Sequence, residues 1–332
     1  MPIWRKKGTE KEFRLFFATD VHGSEPAFRK FINAGKFYKV DALVLGGDIT
    51  GKLMVPILTQ ENGDFRATLQ SKTYTLQDQD QLHDFEAKLA KLGYYGCMVN
   101  QSEYQLLRQD HREVERLYQE KAKERLAAWV RLAEERLADT DIHCYITGGN
   151  DDSPEVLEVL RQEAHEHVIP CEEQVVELNN EGHKMVSLGY SNPTPWNTPR
   201  EIEDAEITHH IDAAVAGIDD FSRVVFNFHA PPIDSTLDTC PLLDASTDPP
   251  TVITKGGEPV LFGAGSHAVR DAIERYQPLL SMHGHIHESR GVIKIGRTTA
   301  VNPGSEYGEG ILRGIIITLV GDQVKSTQMT SG

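Results

Sequence analysis

RLFFATDVH, residues 14–22, sets four apolar side chains, Leu15 to Ala18, directly ahead of Thr19, Asp20 and His22. The run is too short for a helix and reads as a buried strand that ends in a loop carrying two ligand-type side chains. The pattern recurs in ALVLGGD (42–48), HCYITGGND (143–151), VVFNFHAPP (224–232) and LLSMHGHIH (279–287), each rich in β-branched or aromatic residues and closed by Gly, Pro or Asp. Helical stretches separate several of them. Ser24 caps one that carries Phe28, Phe31 and Ile32, Ser153-Pro154 opens another with Val156, Leu157 and Leu160, and Ser266 to Tyr276 reads as a third. Strands alternating with helices predict an α/β fold. QVVELN (174–179) with KMVSLGY (184–190), and VIKIG (292–296) with GIIITLV (314–320), predict added antiparallel pairs.

Every one of the five strand ends delivers metal-ligand chemistry: Asp20 and His22, then Asp48, Asn150, His229, and finally His285 with His287. In α/β sheets the loops beyond the carboxyl ends of strands converge on one edge, where ligands bind. Singly, each residue has a structural explanation: Asp48 as a turn, Asn150 as a left-handed position after two glycines, His229 as a residue preceding Ala230-Pro231-Pro232. Two lookalikes fall away. Asp141-x-His143 precedes its strand and so belongs to the opposite end, and His165-x-His167 follows a Glu-rich helical stretch and reads as solvated. Jointly the seven residues form an O and N donor set suited to two divalent ions. Imidazole suits zinc, iron and nickel, and carboxylate suits manganese, the favoured ion. A bridging carboxylate holds two such ions ~3.5–4 Å apart, close enough to grip one phosphoryl group.

Composition bounds the alternatives. The 332 residues are 39% hydrophobic and 25% charged, which argues against global disorder, and the net charge of −16 disfavours nucleic-acid or anionic-membrane binding through bulk charge. The four cysteines are far apart and form no Cys-x-x-Cys pair, against a zinc ribbon, a thioredoxin-like site or a disulfide framework. The amino-terminal MPIWRKKGTEKEF lacks the apolar core of a leader, and ILRGIIITLV is far shorter than the ~18 apolar residues of a membrane span, so a cytoplasmic protein is expected. No Gly-x-Ser-x-Gly elbow supports a metal-free hydrolase.

Residues 51–140 interrupt the rhythm, so the expected organisation is one domain built from 1–50 and 141–332 with 51–140 as a largely helical insertion, a hairpin plus long helices. Asn62-Gly63 predicts a hairpin. Leu82, Phe85, Leu89 and Leu92 mark one face of a helix ended by Gly93. Ser102-x-x-Gln105 reads as a capping box opening a longer helix, roughly 57 Å if unbroken through Asp139 at ~1.5 Å per residue. Its seam of Val114, Leu117, Leu126, Val130, Ala133 and Leu137 packs on its own hairpin and helix, or serves as a dimerisation arm for a homo-oligomer or as a cap over substrate.

Asp20-x-His22, Gly47-Asp48, Gly149-Asn150, His229 and Gly284-His285-x-His287 resemble, in order, the motif set of the calcineurin-like metallophosphoesterases. The closing GVIKIGRTTAVNPGSEYGEG, with Gly-Gly-Asp-Ile-Thr-Gly earlier, looks like a little-characterised prokaryotic branch of that family. The resemblance implies a two-sheet β-sandwich flanked by helices. It also implies a first metal on Asp20, His22 and His287, a second on Asn150, His229 and His285, and Asp48 as the bridge. His283 matches no ligand position and is expected in the second layer or in the loop. The implied chemistry is attack on phosphorus by a hydroxide shared between the ions, with Asn150 and the neighbouring histidines stabilising charge on the equatorial oxygens.

Two departures narrow the class. Most members read Gly-Asn-His-Asp/Glu, where the histidine helps protonate the leaving group; here the run is Gly149-Asn150-Asp151-Asp152. A carboxyl of pKa ~3.9 is a poor proton donor at neutral pH, and poorer beside two cations, so the resemblance tilts toward a phosphodiesterase acting on a small, nucleotide-type diester. Gly47-Asp48-Ile49-Thr50-Gly51-Lys52 lacks the Asp-Arg pair of the protein Ser/Thr phosphatases. The rival readings are a phosphomonoesterase, with Asp151, a water or a substrate group as acid, and a non-enzymatic binding scaffold on the same fold. The intact ligand set argues against the scaffold.

Overall fold

The computed structural model describes residues 11–247 and 249–332. At its centre are two six-stranded sheets. In the first, Phe13–Ala18, Ala42–Gly46, His143–Thr147 and Val168–Pro170 run parallel in that order, and the antiparallel strands Arg313–Val320 and Gln323–Ser331 extend it beyond Phe13–Ala18. In the second, Lys184–Leu188, Val224–Phe228, Leu280–Met282 and Thr298–Asn302 run parallel, with Val175–Glu177 and Gly291–Ile295 antiparallel at the edges. Among the described residues the α-helices are α1 (Glu25–Tyr38), α2 (Gln79–Lys91), α3 (Gln101–Gln109), α4 (His111–Leu137), α5 (Pro154–Glu163), α6 (Asp204–Val215) and α7 (His267–Tyr276).

The period-two alternation of the strands builds the layers. Leu15, Phe17 and Val44 of the first sheet meet Met185, Val225, Leu280 and Val301 of the second in a buried seam. Their neighbours Phe16, Leu43 and Leu45 face the other way, onto Phe28 and Phe31 of α1, Trp129 and Val130 of α4, and Val156 of α5. Across the molecule, Val186, Phe226 and Phe228 pack with Ile207 and Ile211 of α6 and with Val269 and Ile273 of α7. The result is the helix-flanked pair of sheets that the resemblance implies.

Segment 51–140 contributes a four-stranded sheet in the order Lys72–Leu76, Phe65–Leu69, Met54–Thr59, Tyr95–Val99. The hairpin at Asn62-Gly63 joins two of these strands, and Leu82, Phe85 and Leu89 of α2 bury against Val55 and Ile57. Two details differ from the sequence reading. The capping box is Asn100 with Glu103, not Ser102 with Gln105: the Asn100 side chain accepts from the Ser102 and Glu103 N–H groups while Glu103 accepts from the Asn100 N–H. The long helix is broken at Asp110, which leaves helical geometry (φ −124°) and caps α4 by accepting from the Arg112 N–H at 2.9 Å. The apolar seam of α4 is divided: Val114 and Leu117 pack beside Leu107, whereas Leu126, Val130, Ala133 and Leu137 enter the main core.

The expected pairing of VIKIG with GIIITLV does not occur. Gly291–Ile295 folds back on Thr298–Asn302 through Gly296 (φ 60°), and Arg313–Val320 folds onto Gln323–Ser331 through Gly321 (φ 56°), so tight local turns send the two strands into different sheets. His165 is exposed as expected, but His167 is buried, with Nδ1 donating to the Ile142 carbonyl at 3.1 Å. Among the described residues no helix is long and apolar enough to cross a membrane.

Candidate metal centre

The first sheet brings Asp20 and His22, Asp48 and Asn150 to its carboxyl edge, and the second brings His229, His285 and His287 to the same edge. The loops continue the strand pairing past the strands themselves. The Asp20 N–H donates to Gly47 O (3.0 Å), His22 N–H to Asp48 O (2.9 Å), and Gly284 N–H to His229 O (3.0 Å). Asp20 (φ 53°), His22 (39°), Asp48 (49°) and His285 (65°) all sit in the left-handed region. Such backbone strain costs of order 1–3 kcal/mol per residue and persists where the surroundings enforce it, commonly at functional sites.

Six of the seven residues fall into two groups, Asp20 with His22 and His287, and Asp48 with His229 and His285; within each, one ligand atom per residue lies within 4.8 Å of the others. His22 Nε2 stands 3.0 Å from His287 Nε2, 3.8 Å from Asp20 Oδ1 and 3.6 Å from Asp48 Oδ2. His229 Nε2 stands 3.4 Å from Asp48 Oδ1 and 3.0 Å from Asn150 Oδ1. Asp48 therefore turns one oxygen to each half. His229 Nδ1 donates to the Gly46 carbonyl at 2.9 Å, which leaves Nε2 for the interior of the cluster. His22, Asp20, Asp48, Asn150 and His229 are all buried.

Burial opposes ionisation of Asp20 and Asp48, but His287 beside the first and His229 beside the second outweigh it and hold both carboxyls below the usual range. Burial likewise opposes the charge on His229, yet Asp48 lifts its pKa to about 9; burial and the charge on His229 push His285 down to about 4. A cation entering beside Asp48 therefore competes with a proton on His229. Two imidazole nitrogens facing each other at 3.0 Å next to two buried carboxylates form a donor set that fits divalent ions.

A second layer fixes these side chains. Thr19 Oγ1 donates to Asp20 Oδ2 at 2.8 Å, and Ser305 Oγ donates to the Asp20 carbonyl at 2.7 Å. Asn150 Nδ2 donates to Thr198 Oγ1 at 2.8 Å, which aims its Oδ1 at His229. His283 lies behind the site, donating from Nδ1 to the Phe228 carbonyl at 2.8 Å and so bracing the strand that presents His229. Asn302 donates to the Gly284 and Ile286 carbonyls on either side of His285.

Asp152 ties the Asp48 and Asn150 loops together. Its Oδ2 accepts from the N–H groups of Ile49 (2.9 Å) and Gly149 (2.8 Å), and its Oδ1 accepts from the Thr50 N–H (2.8 Å) and hydroxyl (2.6 Å). In Asp152→Asn an NH2 group would face two of these buried donors. The expected loss is about 2–3 kcal/mol of stability, read as a lower urea midpoint; an unchanged midpoint would show that the two loops hold together without it.

Asp151 lies at the mouth of the cluster. Its N–H donates to Asp48 Oδ1 (2.9 Å), and its Oδ2 stands 3.5 Å from His22 Nδ1 and 2.6 Å from Lys52 Nζ. Burial and then Asp48 raise its pKa to about 6, with Lys52 opposing. Tyr307 covers the same side, its ring centroid 4.6 Å from that of His22. Sequence reasoning singled out no role for Lys52, Asp152, Thr198 or Tyr307. Asp152 adjoined a recognised motif; Thr198 reaches Asn150 from a loop that carries no motif.

No family model matches the chain. It is 31% identical over 157 residues to an uncharacterized protein of Methanocaldococcus jannaschii, a match covering 47% of this chain and 61% of that relative, less than two thirds of its length. A crystal structure aligned over 96% of this chain and 99% of its own has a TM-score of 0.59 at 15% identity. The crystal structure of TT1561 of Thermus thermophilus aligns over 98% and 99% with a TM-score of 0.50 at 14% identity. At such identities these two likenesses speak to the fold.

Proposed function

We propose that this chain, whose fold is that of the calcineurin-like metallophosphoesterases, is a dinuclear metal-dependent phosphoester hydrolase that favours diesters. The observation that carries the reading is the position of Asp48, with one oxygen toward the Asp20, His22 and His287 group and the other toward His229 and Asn150. Asp20, His22 and His287 would hold one ion, Asn150, His229 and His285 the other, and Asp48 both, with manganese the favoured metal. Bound there, the ions would supply Lewis-acid polarisation of a phosphoryl group and activation of water.

The chain's own residues do the positioning. Thr198 keeps the Asn150 oxygen turned inward, and Gly46 holds His229 in one tautomer. Asp151 is engaged by Lys52 and by the Asp48 carboxylate, and cations beside it would draw its pKa back down, so it is poorly suited to protonate an alkoxide leaving group. That weighs against simple alkyl monoesters; the family resemblance, rather than the leaving group, makes a nucleotide diester the leading substrate class. Segment 51–140 is read as an insertion that braces the centre.

The test compares bis(p-nitrophenyl) phosphate with p-nitrophenyl phosphate on metal-stripped protein resupplied with manganese, with His285→Ala as the control for contaminants. The expected outcome is no turnover without metal and a diester preference of about tenfold or more with it. Monoester preference would overturn the diester reading, and equal activity of stripped and reloaded protein would overturn the metal reading.

A further inference from the structure

The basic side chain at the mouth of the cluster is Lys52, and its place is built rather than incidental. The preceding residue, Gly51, is pinned at both ends of its backbone: its N–H donates to the Tyr95 hydroxyl at 2.7 Å, and its carbonyl accepts from the Tyr118 hydroxyl. Both tyrosines belong to segment 51–140, Tyr95 at the start of its fourth strand and Tyr118 on α4. From that fixed backbone Lys52 reaches Asp151, whose own N–H is tied to Asp48 and whose carboxylate faces His22. Exposure rises outward along this chain, from 0% for the His22 side chain through 13% for Asp151 to 44% for Lys52. The ammonium thus stands on the solvent side of the Asp151 carboxylate, at the rim of the cluster.

We propose that Lys52, positioned by Asp151 and by the pinned Gly51 backbone, is a substrate-binding residue that donates to a phosphoryl oxygen of the bound ester. The inference rests on the phosphoesterase reading and extends it to a residue outside the ligand set. An ammonium has three donors and Asp151 uses one side of it, so Lys52 can keep its anchor while bonding a phosphoryl oxygen. The Asp151 carboxylate, 2.6 Å from the Lys52 Nζ, favours the charged amine. In a chain of net charge −16, such a fixed cation also offsets the acidic field that an anionic substrate meets.

The test uses the manganese-loaded full chain with Lys52→Met, Lys52→Arg and Asp151→Asn. Inorganic phosphate affinity is measured by titration calorimetry, hydrolysis of bis(p-nitrophenyl) phosphate gives kcat and KM, and bound manganese is counted for each protein. Lys52→Met should weaken phosphate binding about tenfold and lower kcat/KM by about ten- to a hundredfold at unchanged manganese content. Lys52→Arg should restore most of both, and Asp151→Asn should give a smaller loss. Phosphate affinity and kcat/KM of Lys52→Met within about twofold of the parent would overturn the proposal, as would a loss that merely follows lost manganese. Phosphate binding judges Lys52 separately from hydrolysis. A parent protein that binds manganese and phosphate but cleaves no ester overturns the hydrolase reading, while one that binds manganese and no phosphate overturns the role given to Lys52.

Discussion

Asp48→Asn should cost the chain at least one of its two metal ions and lower phosphodiester hydrolysis by about 10³-fold or more, while the protein remains folded. The direction follows from geometry. Asp48 Oδ2 faces His22 at 3.6 Å and its Oδ1 faces His229 at 3.4 Å, so both halves of the cluster draw on one carboxylate. An amide presents one oxygen and one NH2, and the NH2 cannot ligate a cation; one half must lose its shared donor and the cluster one full negative charge. Outer partners of metal ligands alone cost 10–100-fold, and a ligand shared by two ions should cost more. The replacement is nearly isosteric, and the Asp151 N–H can still donate to the remaining oxygen, so the fold should survive. Manganese stoichiometry by elemental analysis should fall from about two per chain to one or fewer. Full stoichiometry with undiminished turnover would remove Asp48 as the bridge.

The parts of this centre that were legible in the sequence share a physical cause. Each of the five strands is buried on both faces, so its sequence is a short apolar run that stops where the chain leaves the sheet, and parallel strands bring those stops to one edge. The sequence therefore places Asp20, His22, Asp48, Asn150, His229, His285 and His287 together and sets Asp141 and His143 aside. What escaped depends on partners that spacing does not encode. Lys52 and Asp151 meet where Asp152 lays the Asp48 and Asn150 loops side by side and where Tyr95 and Tyr118 hold the Gly51 backbone. The break before α4 turns on Asp110 preferring to cap rather than continue, a choice that composition leaves open because Asp is tolerated in either place. The strand Tyr95–Val99 was missed because YGCMV lacks clean alternation and is held by its parallel neighbour Met54–Thr59, a non-local pairing.

The same dependence on close approach yields the largest expected effect on stability, at Gly93. This residue follows α2 with φ 78°, and a Cβ there would lie 1.9 Å from the carbonyl oxygen of His22. Its own carbonyl oxygen leaves no room at Gly51, where a Cβ would meet it at 1.9 Å, nor at Gly23, where the distance would be 2.7 Å. Three glycines thus let the end of α2, the loop after His22 and the loop after Asp48 touch backbone to backbone. The obstructing atoms are main chain, so no rotamer change relieves them, and Gly93→Ala must displace either the helix end or the loop that carries His22. Left-handed strain and overpacking each cost about 1–3 kcal/mol, so a loss of about 4 kcal/mol is expected, together with weaker manganese binding where the loop carrying His22 is the part that yields. Gly63→Ala supplies the control. That glycine has φ 89° in the hairpin turn but open space around its Cβ, so it carries the conformational cost alone, about 1 kcal/mol. Urea unfolding and manganese titration of both variants separate the two terms. If Gly93→Ala loses no more stability than Gly63→Ala and binds manganese as the parent does, the glycine junction is not what seats His22.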